Sequence, residues 1–279
     1  MNYEDIWHRL TAVYDAGEAK AIVRLVLEVR FGLSVADIYC GKVTQLSPNH
    51  QAELEKIIQR LEKAEPGQYV LGVADFCGRQ FHVAPGVLIP RPETAELCQL
   101  ITSDGSFRPT RILDIGTGSG CIAITLALDI PGSKVTAWDI SDEALSIARD
   151  NAEALKADVC FEHRDALALR ALSDFGSWDL IVSNPPYICE SEADEMDGNV
   201  LNYEPEEALF VPDDDPLQFY RPIMNYAQSA LAEGGRLYFE INPLYDDFIE
   251  ERLLELGFND VGGIDDQFGK TRFVKATWR

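Results

Sequence analysis

Basic residues are scarce in this sequence of 279 residues. It contains 24 lysines and arginines against 47 aspartates and glutamates, so its formal net charge at pH 7 is −23. Proteins that hold nucleic acid neutralise phosphates with clustered basic side chains, and no such cluster is present. The composition therefore disfavours a nucleic-acid partner and favours a protein or small-molecule substrate.

Closely spaced metal ligands and long apolar runs are also missing. The six cysteines and four histidines are scattered singly, whereas zinc sites usually pair their ligands at short spacing. We therefore expect no metal site and six buried, reduced thiols. No stretch reaches the roughly 18 apolar residues of a membrane span, and no signal peptide is apparent. These absences predict a cytoplasmic protein with no membrane partner.

Three segments of different character follow one another. Residues 1–64 show helical periodicity, with Ser47-Pro48 as the start of one helix. We interpret them as a helical docking domain. Residues 65–92 predict a linker, with a hairpin of Tyr69–Leu71 and Phe76–Val83 and then a proline-rich stretch that leads into a helix at Pro92. Residues 93–279 form the predicted catalytic domain.

Strand and helix patterns alternate within the catalytic segment. Strands are predicted at Arg111–Ile115, Lys134–Trp138, Asp158–Glu162, Asp179–Ser183, Gly235–Ile241 and Arg272–Thr277, and an antiparallel orientation is open for the last of them. Helices are predicted at Ser119–Asp129, Ser141–Lys156, Pro216–Leu231 and Pro243–Leu256. Such alternation indicates an α/β fold, a mostly parallel Rossmann-like sheet with helices on both faces.

A glycine-rich loop follows the first of these strands. It comprises Gly116, Thr117, Gly118, Ser119 and Gly120. The third glycine of a dinucleotide fingerprint would fall at Cys121, and the Gly-Lys-Ser/Thr of a phosphate loop is absent. Asp139 ends the next strand, where a carboxylate can accept bonds from both ribose hydroxyls. Asp165 follows the third strand and is placed to receive an adenine amino group.

The segment Ser183-Asn184-Pro185-Pro186-Tyr187 follows the fourth strand at the same edge of the sheet. The Asn184 side-chain oxygen and the Pro185 carbonyl can each accept one N–H of a planar amide, and Tyr187 can form a flat wall beside it. This arrangement predicts transfer of a sulfonium methyl from S-adenosylmethionine to an amide or amino nitrogen, with positioning as the main source of rate.

The glycine loop and Asn-Pro-Pro-Tyr together resemble the amino-methyltransferases. Residues 86–94, Gly-Val-Leu-Ile-Pro-Arg-Pro-Glu-Thr, are similar to the HemK family of peptide chain release factor glutamine N5-methyltransferases, as are residues 203–209 and 269–273. The resemblance implies a class I methyltransferase fold, a monomer, and as substrate the glutamine of the Gly-Gly-Gln loop of class 1 release factors.

The resemblance also implies residue roles. The cofactor would contact residues 116–120, Asp139, Asp165, Ala166 and Asn184. The glutamine would contact Asn184, Pro185, Pro186 and Tyr187, with Asn184 and Pro185 as the catalytic pair. The sequence departs from the family pattern at Phe210–Asp215, at Ala95 and at Thr271. We expect these departures to affect loops around the site and not the methyl-transfer residues.

Three alternatives remain open. The target could be a glutamine of a large-subunit ribosomal protein, or adenine N6 in DNA, although the acidic charge argues against DNA. The chain could also be a catalytically silent module that binds cofactor and acts by docking, although the intact Asn184 argues against this.

Overall fold

The computed structural model describes residues 1–170 and 174–279, and these form two compact units. The first unit comprises Met1–Val73 together with Asp197–Tyr203. Its helices are α1 Tyr3–Leu10, α2 Ala16–Phe31, α3 Val35–Tyr39, α4 Pro48–Leu61, α5 Gly67–Leu71 and, later in the chain, α9 Gly198–Tyr203. They enclose a separate apolar core that includes Ile6, Leu27 and Ile58.

Local sequence determines where these helices begin. The Ser47 side chain accepts the backbone N–H of His50 at 3.2 Å, and Pro48 is the first residue of α4. A side-chain oxygen at the cap satisfies a donor that the helix itself leaves unpaired. The predicted Ser47-Pro48 start of this helix is therefore confirmed.

The predicted strand Tyr69–Leu71 is wrong, because these residues belong to α5. That helix buries Tyr69 and Val70 and ends at Gly72, whose φ of 74° is left-handed. The hairpin follows, with β1 Val73–Phe76 and β2 Arg79–His82. Both residues of its turn have positive φ, 48° at Cys77 and 71° at Gly78. The predicted strand Phe76–Val83 is therefore wrong in its bounds, because this turn divides it between β1 and β2. Cysteine is uncommon at such a turn position, so the sequence pattern did not reveal the turn.

The second unit comprises Ala74–Met196 and Glu204–Arg279. Its central sheet has seven strands in the order β10-β11-β9-β6-β3-β4-β5. The five strands β9, β6, β3, β4 and β5 are parallel, and β11 and β10 continue the sheet antiparallel. Their bounds are β3 Arg111–Ile115, β4 Lys134–Asp139, β5 Val159–His163, β6 Trp178–Ser183, β9 Leu231–Glu240, β10 Asn259–Asp265 and β11 Thr271–Thr277.

Helices cover both faces of this sheet. The helices of the second unit are α6 Pro92–Ser103, α7 Cys121–Asp129, α8 Asp142–Leu155, α10 Tyr220–Ala230 and α11 Asp246–Glu255. Successive side chains of a strand point to opposite faces. Leu180 accordingly packs in the core with α6 and α7, and Ile181 packs in the core with α10 and α11. The predicted mostly parallel α/β fold is confirmed, and so is the antiparallel last strand.

The other differences from the sequence-based prediction are local. Strand β10 was not expected, and its run contains two glycines and an Asp260 with φ of 47°. Cys40 and Cys160 are exposed, so the expectation that all six thiols are buried is wrong. A minimal parallel ladder also joins β7 Ile188–Cys189 to β8 Phe210–Val211. No helix within residues 1–170 or 174–279 is both long and apolar enough to cross a bilayer.

Candidate active site

The carboxyl ends of the parallel strands bring the predicted site residues to one edge of the sheet. In the strand register Ile115 is paired with both Ser183 and Trp138, and Ser183 is also paired with Phe239. The residues that follow these positions therefore emerge side by side. They are Gly116 after β3, Asp139 at the end of β4, Asn184 after β6 and Glu240 at the end of β9.

The glycine loop folds back on the end of β4. The backbone N–H groups of Gly116 and Thr117 donate to the carbonyl of Trp138 at 2.9 and 3.0 Å. Gly116, Gly118 and Gly120 all have positive φ, at 76°, 55° and 82°, which glycine adopts without steric cost. A Cβ at Gly116 or Gly118 would meet no atom within 4 Å, whereas one at Gly120 would lie 2.9 Å from Ile124 Cδ1. The first two glycines face open space, and the third permits close packing of α7.

Buried Asp114 holds this loop through hydrogen bonds. Its Oδ2 accepts the Thr117 hydroxyl at 2.6 Å and the N–H of Ala123 at 3.2 Å. Its Oδ1 is buried and has no hydrogen-bond partner in the described part of the chain. Burial raises the pKa of the Asp114 carboxyl to about 7, since desolvation disfavours the charged form. An orphaned buried acceptor at this edge fits a site built to receive a polar ligand.

Asp139 and Asp165 both make backbone contacts. Asp139 accepts the N–H of Gly118 through Oδ2 at 2.8 Å and the N–H of Ser141 through Oδ1 at 2.9 Å. Burial is the main cause that raises the pKa of Asp139. Because each carboxylate oxygen has two lone pairs, both oxygens retain capacity for a ribose hydroxyl. Asp165 accepts the N–H of Leu167 at 2.8 Å, and both Asp165 and Ala166 are half-buried.

Asn184 is held by two residues to which the sequence analysis assigned no role, although Thr94 ends the segment 86–94 that carries the family resemblance. Its Nδ2 donates to Thr94 Oγ1 at 3.1 Å, and the Thr94 hydroxyl donates to Glu240 Oε2 at 2.7 Å. The Tyr187 phenol donates to Glu240 Oε1 at 3.1 Å. Pro185 is buried, and Pro186 is half-buried. The structure thus brings Asn184, Pro185 and Tyr187 together, with Thr94 and Glu240 beside them.

Burial controls the ionisation of this group. It raises the pKa of Glu240 to about 7, against the opposing effect of the two hydroxyl donors and of Arg272. It also raises the pKa of Tyr187 well above its usual range, and the neighbouring Glu240 charge adds to that shift. Tyr187 therefore stays a neutral hydrogen-bond donor at physiological pH. One sequence feature signals Glu240, because it is an acidic residue that directly follows the apolar run Leu237–Phe239 at the ligand-binding end of β9.

A second buried glutamate anchors the segment that precedes α6. Glu204 accepts the N–H of Ile89 at 3.0 Å and pairs with Arg91 at 2.6 Å. Its side chain is only 1% exposed. Two of the sequence segments that carried the family resemblance, 86–94 and 203–209, are therefore joined here by an ion pair. This pair fixes the backbone that leads into Thr94.

The loop Phe210–Asp215, which departs from the family pattern, packs beside the Asn-Pro-Pro-Tyr segment. Phe210 and Val211 pair with Ile188 and Cys189. Asp213 accepts both the backbone N–H and the hydroxyl of Ser191 at 2.9 Å. The other two departures, Ala95 and Thr271, lie on α6 and at the start of β11, and Thr271 donates to Asp265 at 3.1 Å.

Comparison with known protein families gives two matches that divide the chain. Residues 6–72 match the family model described as PrmC N-terminal domain. Residues 94–202 match the model described as methyltransferase small domain. The second match contains the glycine loop, Asp139, Asp165 and Asn184.

Solved structures support the fold. A methyltransferase from Pyrococcus furiosus superposes with a TM-score of 0.53 at 19% identity and covers 83% of this chain and 98% of its own. The Thermus thermophilus 16S rRNA N2 G1207 methyltransferase, solved with AdoMet and guanosine, gives 0.52 at 22% identity and covers 74% of this chain and 50% of its own. At these identities the likeness concerns the fold alone.

Curated relatives are much more similar. The release factor glutamine methyltransferase of Bacteroides thetaiotaomicron is 52% identical over 96% of this chain and 95% of its own length. That of Flavobacterium psychrophilum is 38% identical over 97% of this chain and 95% of its own. Identity of this extent, over both the helical unit and the sheet unit, establishes that the chain belongs to the release factor glutamine methyltransferase family.

Proposed function

We propose that this protein transfers a methyl group from S-adenosylmethionine to the side-chain nitrogen, N5, of the glutamine in the Gly-Gly-Gln loop of class 1 peptide chain release factors. The observation that carries the proposal is the Asn184 side chain, held through Thr94 at the carboxyl end of β6. It lies at the same sheet edge as a glycine loop that borders open space.

The residues at this edge fit S-adenosylmethionine. Residues 116–120 leave room for a ligand at Gly116 and Gly118, and the unpartnered Asp114 Oδ1 offers a buried acceptor. We assign the ribose hydroxyls to Asp139 and the adenine amino group to Asp165, with Ala166 beside the base. When bound, the cofactor supplies an electrophilic methyl group on a positively charged sulfur.

Asn184 and Pro185 would present the substrate amide. A glutamine amide is a poor nucleophile, because its nitrogen lone pair is delocalised into the carbonyl. Its two N–H groups are donors, and the Asn184 side-chain oxygen and the Pro185 carbonyl are acceptors that can fix them. Tyr187 would provide a flat wall for the planar group. The reaction then depends on positioning and a preorganised polar site, and the methylated amide releases its proton to solvent.

The substrate assignment follows the names of the relatives, whose release factor specificity we extend to this chain. A DNA adenine target is disfavoured by the net charge of −23. A ribosomal-protein glutamine is the closest competing target. Release factors act on ribosomes, so the proposal places the protein in the cytoplasm, and we propose that it works as a monomer.

The proposed docking domain is the helical segment 1–64, which we expect to bind the body of the release factor. On α2 the side chains of Leu25 and Val29 are 37% and 38% exposed, one turn apart. Replacing both with glutamate should raise KM for a full-length release factor and leave KM for a short Gly-Gly-Gln peptide unchanged. Equal KM values for the full-length factor before and after the substitutions would contradict the docking role.

The function itself is tested with purified components. The protein, S-adenosylmethionine and a full-length class 1 release factor should yield a factor with one methyl group on the loop glutamine, located by tandem mass spectrometry. A release factor with glutamate in place of that glutamine is the matched control and should remain unmodified. Methylation of a large-subunit ribosomal protein or of duplex DNA, with no methylation of the release factor, would overturn the proposal.

A further inference from the structure

Behind the half-buried Asn184 lies a chain of side-chain hydrogen bonds whose inner members, Thr94 and Glu240, are almost fully buried. It runs from Asn184 Nδ2 to Thr94 Oγ1 at 3.1 Å and from the Thr94 hydroxyl to Glu240 Oε2 at 2.7 Å. Thr94 is 3% exposed and Glu240 is 1% exposed. Water therefore does not compete for these bonds, and each group must find its partner within the protein.

The chemistry of the three groups fixes which atom donates and which accepts in each of these hydrogen bonds. An ionised carboxylate only accepts hydrogen bonds, so Glu240 takes the single proton of the Thr94 hydroxyl. The Thr94 oxygen can then only accept from the next group, and the Asn184 amide must turn its NH₂ towards it. The amide oxygen of Asn184 consequently points away from Thr94.

We infer that Thr94 and Glu240 are positioning residues that set the orientation of the Asn184 amide, so that its oxygen is the group presented to the substrate nitrogen. This inference rests on the proposed function. In the reversed orientation the Asn184 oxygen would oppose a Thr94 oxygen without a proton, and its NH₂ would oppose the N–H groups of the substrate. Both contacts would be unfavourable.

Tyr187 reinforces this donor and acceptor order through Glu240. Its phenol donates to the second carboxylate oxygen of Glu240 at 3.1 Å. Both Glu240 oxygens therefore accept hydroxyl protons, which favours the ionised form that orients Thr94. Tyr220 donates to the Glu240 backbone carbonyl at 3.0 Å and holds the end of β9 in place.

The test compares two substitutions of Thr94. Thr94→Val keeps the shape and removes the hydroxyl, whereas Thr94→Ser keeps the hydroxyl. We expect Thr94→Val to lower kcat for release factor methylation about 10- to 100-fold, as expected when a residue that orients a reacting group is lost. Thr94→Ser should recover most of that loss. Thr125→Val, at another buried threonine of the same unit, is the matched control and should leave kcat unchanged.

Calorimetry with S-adenosylmethionine accompanies the kinetics. Unchanged cofactor affinity in Thr94→Val shows a folded protein and assigns the loss to the methyl-transfer step. A wild-type kcat in Thr94→Val would overturn the inference, and so would equal losses in the valine and serine variants, which would indicate packing alone. Failure of the wild-type protein to methylate the release factor would instead count against the proposed function.

A pH profile gives a second, independent readout, and it decides the question if Thr94→Val does not fold. Glu240 is faced by Thr94 and Glu93 from α6, by Tyr187 after β6, by Tyr220 from α10 and by Arg272 from β11. Burial raises the pKa of Glu240 to about 7. A protonated Glu240 can donate to Thr94, which frees the threonine proton and lets the Asn184 amide reverse.

The wild-type kcat at saturating cofactor should therefore decline as the pH falls through about 7. Glu240→Gln does not titrate. Its amide oxygen can still accept the Thr94 proton while its NH₂ donates to the Tyr187 oxygen, so its kcat should decline less than that of the wild type over the same range. Both proteins retain Asp114, whose pKa is also about 7, so its titration affects them equally. An acidic decline of equal size in Glu240→Gln would overturn the inference.

Discussion

Asp139 Oδ2 lies 2.8 Å from the backbone nitrogen of Gly118 and accepts its N–H. The carboxylate that we assign to the ribose therefore also holds the glycine loop in place. Its other oxygen accepts the N–H of Ser141 and helps to begin α8. The proposed cofactor site is thus ordered by the protein's own contacts, which is the preorganisation that a tight polar site requires.

Asp139→Ala should weaken the binding of S-adenosylmethionine. Hydrogen bonds to charged groups contribute about 1.5–3 kcal/mol, so we expect the affinity to fall by about 10- to 100-fold. Isothermal titration calorimetry measures this directly. Asp150→Ala, at an exposed position of α8, is the control and should bind normally. Unchanged affinity in Asp139→Ala would remove this residue from the ribose role.

Glu204→Ala should destabilise the sheet unit. The substitution leaves the N–H of Ile89 without its acceptor and removes the partner of Arg91. Breaking a largely buried, hydrogen-bonded ion pair costs about 2–3 kcal/mol. Urea denaturation should show this loss, whereas Glu206→Ala, at an exposed position of the same segment, should change stability little. Equal stability of the two variants would show that the Glu204 contacts do not hold this segment.

Glu240→Gln should stabilise the protein at alkaline pH. Burial raises the pKa of Glu240 from 4.5 to about 7 in the folded state. The folded state therefore binds this proton more tightly than the unfolded chain does. The cost of burying the charge is fully present above pH 7, decreases as the pH falls, and is absent below pH 4.5.

Glu240→Gln has no charge at this position, so it does not carry the cost of burying one. At pH 8 its free energy of unfolding should exceed that of the wild type by up to about 3 kcal/mol, as 1.36 kcal/mol per pKa unit implies. The difference should shrink as the pH is lowered to 5. Urea denaturation at three pH values measures it, and both proteins retain Asp114, so its titration affects them equally. A difference that does not depend on pH would contradict the shifted ionisation of Glu240.

The sequence contained enough to predict the parallel sheet and its ligand-binding edge. Short strands with a largely buried sequence, such as Arg111–Ile115, have one stable environment, the interior of a sheet covered by helices. The motifs that follow these strands must then emerge at one edge. The pattern failed where conformation depends on tertiary contacts. Tyr69–Leu71 is β-rich in composition, yet it forms a helical turn that packs into the first unit.

The support of Asn184 was also beyond the reach of sequence patterns. Thr94 and Glu240 are 146 residues apart. Thr94 ends the segment 86–94 and Glu240 follows an apolar run, but neither position indicates that the two side chains meet. They meet because α6 packs against the sheet near the end of β9. Only the three-dimensional arrangement shows that a threonine in a helix and a glutamate at a strand end are linked to one asparagine by hydrogen bonds.

Asn184→Ala tests the central claim most directly. The substitution removes the acceptor that we assign to the glutamine nitrogen, and losses of a single preorganised polar group commonly reach about 10²–10³ in kcat. The rate of methyl transfer to the loop glutamine should be measured by mass spectrometry at saturating cofactor, with Asp150→Ala, at an exposed position of α8 outside the proposed docking domain, as the control. We predict a loss of that size with cofactor affinity within a few-fold of wild type. A kcat near wild type would show that other groups hold the glutamine and that the active site is misplaced.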